Sequence, residues 1–597
     1  MNNLSLHEQR VREYINKHYG EALRLRYDEV GEDYKVSTVF YSELEQVDVE
    51  GFPFSSDYLM PDGRSVSSYE FQKLSFAERK GARLRYYYMP YTHEMYVGGT
   101  GSGKTTGCVE PQLRAISCQK NKPNLFFTDP KGELFDRNAE HLREKGYKLY
   151  VLNFKDVMRS DKWNPLLSLY DEKIKLKSIG LGLKEVAGEV PVNMELFAYP
   201  EAFSKEKYYT YDGKAFPDTT SARMYIKCEE DAISARIDDQ INQLVNMFIP
   251  VQNSKDPSWE YGAQDLLRGI LQLMLDNAMD EKSGFTRDMM TLKTVQDMFT
   301  ELKTPILDGE ETLSTHPLTR KADKRVIRLL STALGNAPNT MRSYCGVFSG
   351  AITQWFQAHV LSLTTGCTID IENEVNSPYA IFVITRDYDK SDFAIAGLFI
   401  DWVYRTALSH SERGISERPL HFLLDEFGNI PKIKDFENKI ATSRSRNIWF
   451  HLVLQSYAQL ALIYGEDTSS IIRDNCNAQI FLGSQNAKSK EIFSEECGKC
   501  YVPTLRTELY NNEFEITSIP LVSITNLDLI KPGNMYVKRI YTPVIMAQFI
   551  RSYLMTENGD FPYREALGLE RCAPFNLEPI SSEKYTFVIP KNDDYLY

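Results

Sequence analysis

Residues Gly98 to Thr105 read G-G-T-G-S-G-K-T, which fits the pattern G-x-x-x-x-G-K-[ST] at every fixed position. Glycines let the backbone bend so that successive N–H groups point into one concave loop, and a helix starting at Gly103 adds its positive end. Such a loop suits the phosphate chain of a nucleotide, with Lys104 on the outer phosphates and the Thr105 hydroxyl on Mg²⁺. An apolar strand pattern before the loop and a helical pattern after it disfavour a chance glycine-rich turn. The predicted nucleotide-binding residues are Gly98, Gly99, Thr100, Gly101, Ser102, Gly103, Lys104, Thr105 and Thr106.

A second candidate segment, His421–Glu426, reads H-F-L-L-D-E, an apolar strand that ends in adjacent carboxylates. In a phosphate-loop ATPase, Asp425 would hold the Mg²⁺ shell and Glu426 would orient or activate the attacking water. Many strands end in acidic residues, so the segment alone is weak evidence for hydrolysis. The complete phosphate loop in the same chain strengthens that interpretation. GTPases usually lack the adjacent glutamate, and the expected cofactors are therefore ATP and Mg²⁺.

Other polar residues lie near the second segment. Gln455 follows the apolar stretch Trp449–Leu454, where a polar side chain can sense the γ-phosphate; an ordinary strand-end amide is the alternative. Arg444 and Arg446 precede that stretch in A-T-S-R-S-R-N-I. An arginine placed at a neighbouring subunit's phosphate accelerates phosphoryl transfer, although surface arginines are common. The predicted catalytic residues are Glu426, Lys104, Arg444 and Gln455, and the predicted Mg²⁺ ligands are Thr105 and Asp425.

These residues need a scaffold, and the chain from Tyr91 onward predicts an α/β one. Asn124–Thr128 has the pattern of a buried strand, a helical stretch follows, and Lys148–Phe154 is the next predicted strand. Alternating strands and helices indicate a parallel sheet, which binds its ligands at the carboxyl ends of the strands. Asp129 and Lys131, in D-P-K-G-E-L, fall at such an end.

The strand pattern stops near Trp163 and resumes at Tyr379–Thr385, and most of the intervening sequence has helical apolar spacing. Within it, Lys184–Asp218 is irregular and rich in tyrosine, which predicts a long loop. The predicted domains are a separate N-terminal region at 1–90, a nucleotide-binding domain made of 91–160 and 376–550, an inserted helical domain at 161–375, and a loose tail at 551–597.

Composition limits the class of protein. The 597 residues carry a net charge of −13, which excludes a globally basic nucleic-acid-coating protein but not a local basic lining. No signal peptide and no apolar stretch of spanning length is visible, so we expect a cytoplasmic protein. Cys497 and Cys500 form a lone C-x-x-C, which we interpret as two reduced thiols rather than a metal or redox site.

Motifs of other hydrolases are missing from the sequence. Neither H-E-x-x-H nor G-x-S-x-G occurs, which disfavours a metalloprotease or a serine hydrolase. His421 and His451 lie in predicted strands and are interpreted as buried and structural. The basic stretch Arg79–Arg85 leads into three tyrosines and could contact nucleic acid, but a solvated helix end followed by a strand is the favoured interpretation.

Six segments occur in an order that resembles the coupling ATPases of type IV secretion and bacterial conjugation, of the TraG/TraD type. They are G-G-T-G-S-G-K-T, D-P-K-G-E-L, W-N-P-L, D-P-S-W-E, D-E-F-G-N-I-P-K-I and L-Q-S-Y-A-Q-L, within about residues 91–550. The resemblance implies a RecA-like motor domain with an inserted all-α domain, kin to the FtsK/HerA translocases, that forms a homo-hexameric ring. It also implies that DNA enters the ring pore as a relaxase-bound strand, and that this DNA, and sometimes protein, is delivered to a secretion channel.

The family's functional residues can be carried over by position. Lys104 and Thr105 match the family's phosphate and magnesium contacts. Asp425 and Glu426 match its hydrolytic pair, and Gln455 matches its third motif. Arg444 falls where family members place an arginine finger across the ring interface, and Arg446 is the runner-up.

One departure from the family concerns the membrane. Family members usually begin with two transmembrane helices, and none is visible here. The resemblance then predicts recruitment to the inner face of the membrane only through a partner, with residues 1–90 as the docking region. A soluble HerA-like translocase in repair or defence is one alternative. A substrate receptor that nucleotide merely orders is another, although such a receptor would need no water-activating Glu426.

Overall fold

The computed structural model describes residues 25–26, 37–46, 49, 51–66, 68–251, 256–371, 377–386, 390–409, 414–416, 418–430, 432–433, 435–508, 511–540, 542 and 544–552. The predicted loose tail therefore lies, apart from its first two residues, outside the described part of the chain. The described residues form two compact units. Unit 1 contains those up to Ser160 and from Asp370 onward, and unit 2 is Asp161–Ile369.

The strands of the described residues are numbered in chain order. They are β1 Leu25–Arg26, β2 Ser37–Phe40, β3 Phe52–Leu59, β4 Ser65–Val66, β5 Arg83–Met89, β6 Glu94–Gly98, β7 Asn124–Thr128, β8 Lys148–Asn153, β9 Lys184–Ala187, β10 Glu195–Leu196, β11 Lys207–Tyr211, β12 Lys214–Phe216, β13 Tyr379–Ile384, β14 Leu420–Leu424, β15 Ile448–Leu454, β16 Ala478–Gly483, β17 Lys499–Glu508, β18 Asn511–Pro520, β19 Asn534–Arg539 and β20 Ile545–Gln548.

Unit 1 is built on a sheet whose described strands follow the order β1-β20-β19-β16-β6-β15-β14-β7-β13-β8. The strands from β16 to β8 in this order run parallel, whereas β19 is antiparallel to both β16 and β20. Strands β6, β7, β13, β14 and β15 are buried at every residue. Continuous apolar runs of this kind are typical of parallel strands covered on both faces. The architecture has the predicted α/β character.

Helices connect these strands and bury one face each. Glu133–Glu144, for example, buries Leu134, Phe135, Ala139 and Leu142, a spacing that places them on one side of the helix. The described helices of unit 1 are Ser68–Lys73, Phe76–Arg79, a π-helical turn Lys104–Val109 continued by Glu110–Ser117, Glu133–Glu144, Lys390–Ser409, Phe436–Ser443, Tyr457–Tyr464, Glu466–Asn475, Ala487–Glu496 and Ile524–Asp528.

A smaller antiparallel sheet, in the order β2-β5-β3-β4, belongs to the N-terminal region. Its Phe52 and Phe54 share one buried core with Tyr96 and Leu125 of the central sheet. The described part of the N-terminal region is therefore not the separate body that the sequence predicted, because it completes the core of unit 1. Its predicted role in docking stays a prediction.

The basic stretch at residues 79–85 takes the favoured form, the end of helix Phe76–Arg79 followed by β5. Arg83 forms an ion pair with Glu43, at 2.5 Å. The guanidinium of Arg85 binds the buried carboxylate of Asp57 through Nε at 3.0 Å and Nη2 at 2.7 Å. These arginines bind carboxylates within the chain, which favours a structural role over a nucleic-acid contact.

A chain of buried polar side chains crosses the central sheet. Nδ1 of His421 lies 2.9 Å from Nε2 of His451, and Nδ1 of His451 lies 3.0 Å from Oε2 of Glu94. The Tyr96 hydroxyl donates to the same Glu94 oxygen, and Gln112 Nε2 donates to the Tyr96 hydroxyl. Both histidines are buried and lie in adjacent strands, which agrees with a structural role.

This buried chain predicts a pH dependence of stability. Burial raises the pKa of Glu94 to about 8, while the hydrogen bond from Tyr96 and the charge of Arg539 oppose this change. Burial lowers the pKa of His451 to about 3. Below pH about 6.5 the two groups change the stability in opposite directions as the pH rises. Compared with the unfolded state, the folded state binds more protons at Glu94 and fewer at His451. Of these two groups, only Glu94 continues to act between pH about 6.5 and 8, and its ionisation as the pH rises should lower the free energy of unfolding.

Urea titrations of the full chain at pH 6.5, 7.25 and 8 test this dependence. The unfolding midpoint of unit 1 should fall as the pH rises, and Glu94→Gln, which stays uncharged, should flatten the slope. Equal slopes for Glu94→Gln and the unaltered chain would show that Glu94 is already ionised throughout this range.

Unit 2 is mainly helical. Ser258–Met279 is buried along much of its length and packs against Lys324–Leu334 and Pro338–Ile352. The approach is close, because a Cβ on Gly269 would clash with the side chain of Leu330. The other described helices of this unit are Leu167–Ser178, Thr219–Phe248, Leu292–Leu307 and Ala358–Leu363. Throughout the described residues of both units, no helix is both long enough and apolar enough to cross a membrane.

The segment predicted as a long loop, Lys184–Asp218, instead contains a small sheet in the order β10-β12-β11-β9. Its strands are short, and β9 and β10 are mostly exposed. The apolar alternation that marks a strand is therefore weak in the sequence. Tyr208, Tyr211, Ala215 and Phe216 are buried, so the tyrosines that made the segment look irregular partly form its core.

Candidate functional site

The glycine-rich loop after β6 has the backbone that its sequence requires. Gly101 and Gly103 have φ angles of 79° and 95°, in the left-handed region that favours glycine. A Cβ on Gly98 would clash with the Ser102 hydroxyl. The Gly99 amide donates to the carbonyl oxygen of Gly483 at the end of β16, 2.7 Å away. The loop is thus fixed to a neighbouring strand and leads directly into the helix that starts at Lys104.

Two side chains of the loop fit an anionic ligand. Lys104 Nζ donates to the carbonyl oxygens of Gly98 and Gly99, the latter at 3.1 Å, so the ammonium lies over the loop. Burial lowers the pKa of Lys104, while the charges of Asp425 and Glu426 oppose that change. Among the described residues, the buried Oγ of Ser102 has no hydrogen-bond partner, which a phosphate oxygen would supply.

The structure brings the phosphate loop and the end of β14 together. Thr105 Oγ1 donates to Oδ2 of Asp425 at 2.8 Å, although the two residues are 320 positions apart. Thr128 Oγ1 donates to the backbone oxygen of Asp425, also at 2.8 Å. Burial raises the pKa of Asp425, and the hydrogen bond from Thr105 opposes that change. A hydroxyl and a carboxylate this close are oxygen ligands of the kind that Mg²⁺ prefers.

Glu426 follows in a strained backbone conformation, with φ 51° and ψ 41°. A non-glycine residue in the left-handed region is uncommon and is often found at functional sites. The Glu426 amide donates to Oδ1 of Asp425 at 2.9 Å, and Asn429 Nδ2 donates to Oε2 of Glu426 at 2.8 Å. The carboxylate is therefore oriented at the same edge as the loop while part of it stays accessible.

Gln455 directly follows β15, which lies between β14 and β6 in the sheet. Its backbone amide donates to Oε1 of Gln459 at 3.1 Å. Gln455 thus lies at the carboxyl edge of the sheet, between the strand of Asp425 and the strand that leads into Gly98. That placement suits a γ-phosphate sensor, which remains a prediction.

Arg444 and Arg446 lie at the opposite, amino-terminal edge of the parallel strands, in a 3₁₀ turn that precedes β15. Arg444 is exposed. Burial lowers the pKa values of His93, before β6, and of Arg539, at the end of the antiparallel β19, and the charge of Arg444 adds to both changes. Because β15 runs parallel to β6, Arg444 before β15 and the phosphate loop after β6 lie at opposite edges of the sheet, separated by the length of the strands. Action on a neighbouring subunit, as the sequence analysis predicts, stays a prediction.

Asp129 has a positioning role that its place at a strand end did not reveal. It is buried, and its carboxylate accepts the amides of Gly132 at 3.0 Å and Phe135 at 2.9 Å. Burial raises the pKa of Asp129 to about 7, and these amide donors oppose the change. Asp129 thereby binds free amides at the start of helix Glu133–Glu144 and fixes the turn that carries the exposed Lys131 at the edge of the site.

The glycine-rich loop and the central sheet together form a P-loop NTPase fold with an inserted, mainly helical unit. Residues 62–178 match the family model described as "Type IV secretory system Conjugative DNA transfer", and residues 419–527 match that described as "TraM recognition site of TraD and TraG". These two segments are therefore similar to proteins of conjugation and type IV secretion, and the resemblance seen in the sequence is confirmed.

Curated relatives agree with this relationship. Protein VirD4 of Agrobacterium fabrum (strain C58) is 22% identical over 240 residues, which are 40% of this chain and 35% of the relative. Protein VirD4 of Rhizobium rhizogenes is 22% identical over 241 residues, with the same coverage. The match thus spans about a third of the length of these relatives.

Solved structures show the same fold. The bacterial conjugative coupling protein TrwBdeltaN70, in its unbound monoclinic form, superposes with a TM-score of 0.51 at 14% identity, covering 87% of this chain and 97% of that one. The plasmid coupling protein TrwB in complex with ADP and Mg²⁺ gives a TM-score of 0.50 at 14% identity, covering 89% and 99%. The predicted α/β fold with a large helical insert is thereby confirmed.

Proposed function

We propose that the chain is an ATP-driven coupling protein that recruits DNA, as a relaxase-bound strand, or protein, and delivers it to a type IV secretion channel during conjugation. The observation that carries the proposal is the hydrogen bond between Thr105 and Asp425, which joins the phosphate loop to a second acidic segment in a coupling-protein fold. The ADP and Mg²⁺ bound by the plasmid coupling protein TrwB support ATP and Mg²⁺ as the cofactors here.

The residues of the site divide the chemistry of hydrolysis. Loop amides and the Lys104 ammonium hold the phosphate chain, and the hydroxyl of Ser102 adds a donor. Thr105 and Asp425 would hold Mg²⁺, which when bound supplies positive charge that neutralises the terminal phosphates. Glu426, oriented by Asn429, accepts a proton from the attacking water. Binding alone would need no such base, which supports an enzyme over a nucleotide-ordered receptor.

The remaining parts of the proposal concern assembly. A homo-hexameric ring with DNA in its pore would place Arg444 of one subunit at the phosphates of the next, consistent with its position away from its own loop. Relaxosome and secretion components are the proposed partners. Recruitment to the membrane would occur through one of them.

ATP hydrolysis by the purified full chain, with and without single-stranded or double-stranded DNA, tests the proposed function. We expect Mg²⁺-dependent hydrolysis that DNA accelerates, and an acceleration that weakens as salt rises, because phosphate contacts release counterions. Hydrolysis that ignores DNA at every salt concentration would refute the DNA-driven motor and favour a protein cargo.

A further inference from the structure

The chain beyond β20 passes over the start of the phosphate-loop helix. Phe549 is buried, and a Cβ on Gly107 would clash with its ring. A Cβ built on Gly103 would lie 3.3 Å from Cε2 of Phe549 and 3.7 Å from Nε of Arg551. The guanidinium of Arg551 therefore lies beside the last glycine of the loop, where the positive end of the helix begins.

Both neighbours of Arg551 are anchored. The Ile550 amide donates to Oγ of Ser56 at 2.9 Å, and Ser552 Oγ donates to Oε2 of Glu110 at 2.6 Å. Ser552 and Glu110 are buried, while Arg551 itself is half-buried. The backbone that carries the guanidinium is thus fixed between the small N-terminal sheet and the phosphate-loop helix. A side chain presented in this way has less freedom to lose when it binds a ligand.

The chemistry at this position suits an anion. The positive end of the helix and the guanidinium both attract negative charge near Gly103, and Lys104 adds an ammonium one residue after it. Arginine offers planar, paired donors that match phosphate oxygens better than a lysine does. None of the motifs found in the sequence includes this residue, because it lies far beyond them near the end of the chain.

We propose that Arg551 binds the phosphate chain of the nucleotide, as a second cationic contact beside Lys104. This inference rests on the proposed function, since it deepens the same nucleotide site. It makes nucleotide affinity depend on the segment after β20, and through Ser56 on the small N-terminal sheet.

Equilibrium binding of ADP and of pyrophosphate, each with Mg²⁺, to the full chain tests the proposal. Arg551→Ala should weaken both ligands roughly tenfold or more, because a hydrogen-bonded charge contact is lost. Arg551→Lys should weaken them less, and the exposed Arg143→Ala, on helix Glu133–Glu144, should stay within about twofold of the unaltered chain. Thermal unfolding without ligand checks that each variant is folded, and Arg551→Gln replaces the alanine variant if that one is not.

The two ligands separate the outcomes. Unchanged affinity of folded Arg551 variants for both ligands, or weakening for ADP alone, would overturn the phosphate contact while the unaltered chain still binds and hydrolyses ATP. An unaltered chain that binds neither ligand would instead refute the proposed function, and this inference with it.

Discussion

Replacement of Glu426 by glutamine is expected to slow ATP hydrolysis by roughly 10²–10⁴-fold, the range that a general base contributes. Glutamine keeps the shape of the side chain, and its oxygen can still accept the hydrogen bond from Asn429 Nδ2. It cannot accept a proton from water. Nucleotide affinity should stay within about twofold, because the phosphate loop, Thr105 and Asp425 are unchanged. Steady-state hydrolysis and equilibrium binding of ATP, measured on the same preparation, check both parts.

The matched control is Glu144→Gln, which removes one carboxylate from an exposed position at the end of helix Glu133–Glu144. It changes net charge equally and should leave the rate near that of the unaltered chain. If Glu426→Gln hydrolyses ATP within about threefold of the control rate, Glu426 is not the general base. Weak binding together with slow hydrolysis would assign Glu426 to ligand binding.

Replacement of Asp57 by alanine is expected to destabilise the small N-terminal sheet by roughly 3 kcal/mol, because it leaves Arg85 partly buried without its carboxylate. Asp57 is fully buried. Besides both contacts from Arg85, it accepts hydrogen bonds from the hydroxyls of Ser65 and Tyr87, the latter at 3.1 Å. Amide hydrogen exchange in β3 and β5 should become about a hundredfold faster or more.

Asp62→Ala is the control, because Asp62 binds Arg64 in an ion pair that leaves both side chains more than half exposed. Exposed pairs contribute about 1 kcal/mol or less, so exchange in the same strands should barely change. Similar exchange for the two variants would mean that the Asp57 network adds no more to stability than a surface ion pair does.

The sequence determined the local parts of this protein. The phosphate loop is a contiguous motif whose glycines are required by local backbone geometry, so it could be predicted without the rest of the chain. The buried strands β7, β14 and β15 were predictable because their apolar runs are continuous and end at polar residues. Their alternation with helices indicated a parallel sheet, since such connections place successive strands in the same direction.

The tertiary structure decided which of these parts contact each other. Sheet order depends on packing between residues far apart in sequence. The motifs predicted that Thr105 and Asp425 bind the same Mg²⁺, but the direct hydrogen bond between them across 320 positions has no local signal. The small sheet formed by β9–β12 was missed because strands of two to five residues with exposed sides carry little alternation. The contact between Phe549 and Gly107 could not be predicted from the sequence either. Gly107 is visible there, but the ring that leaves no room for a Cβ belongs to a residue far along the chain.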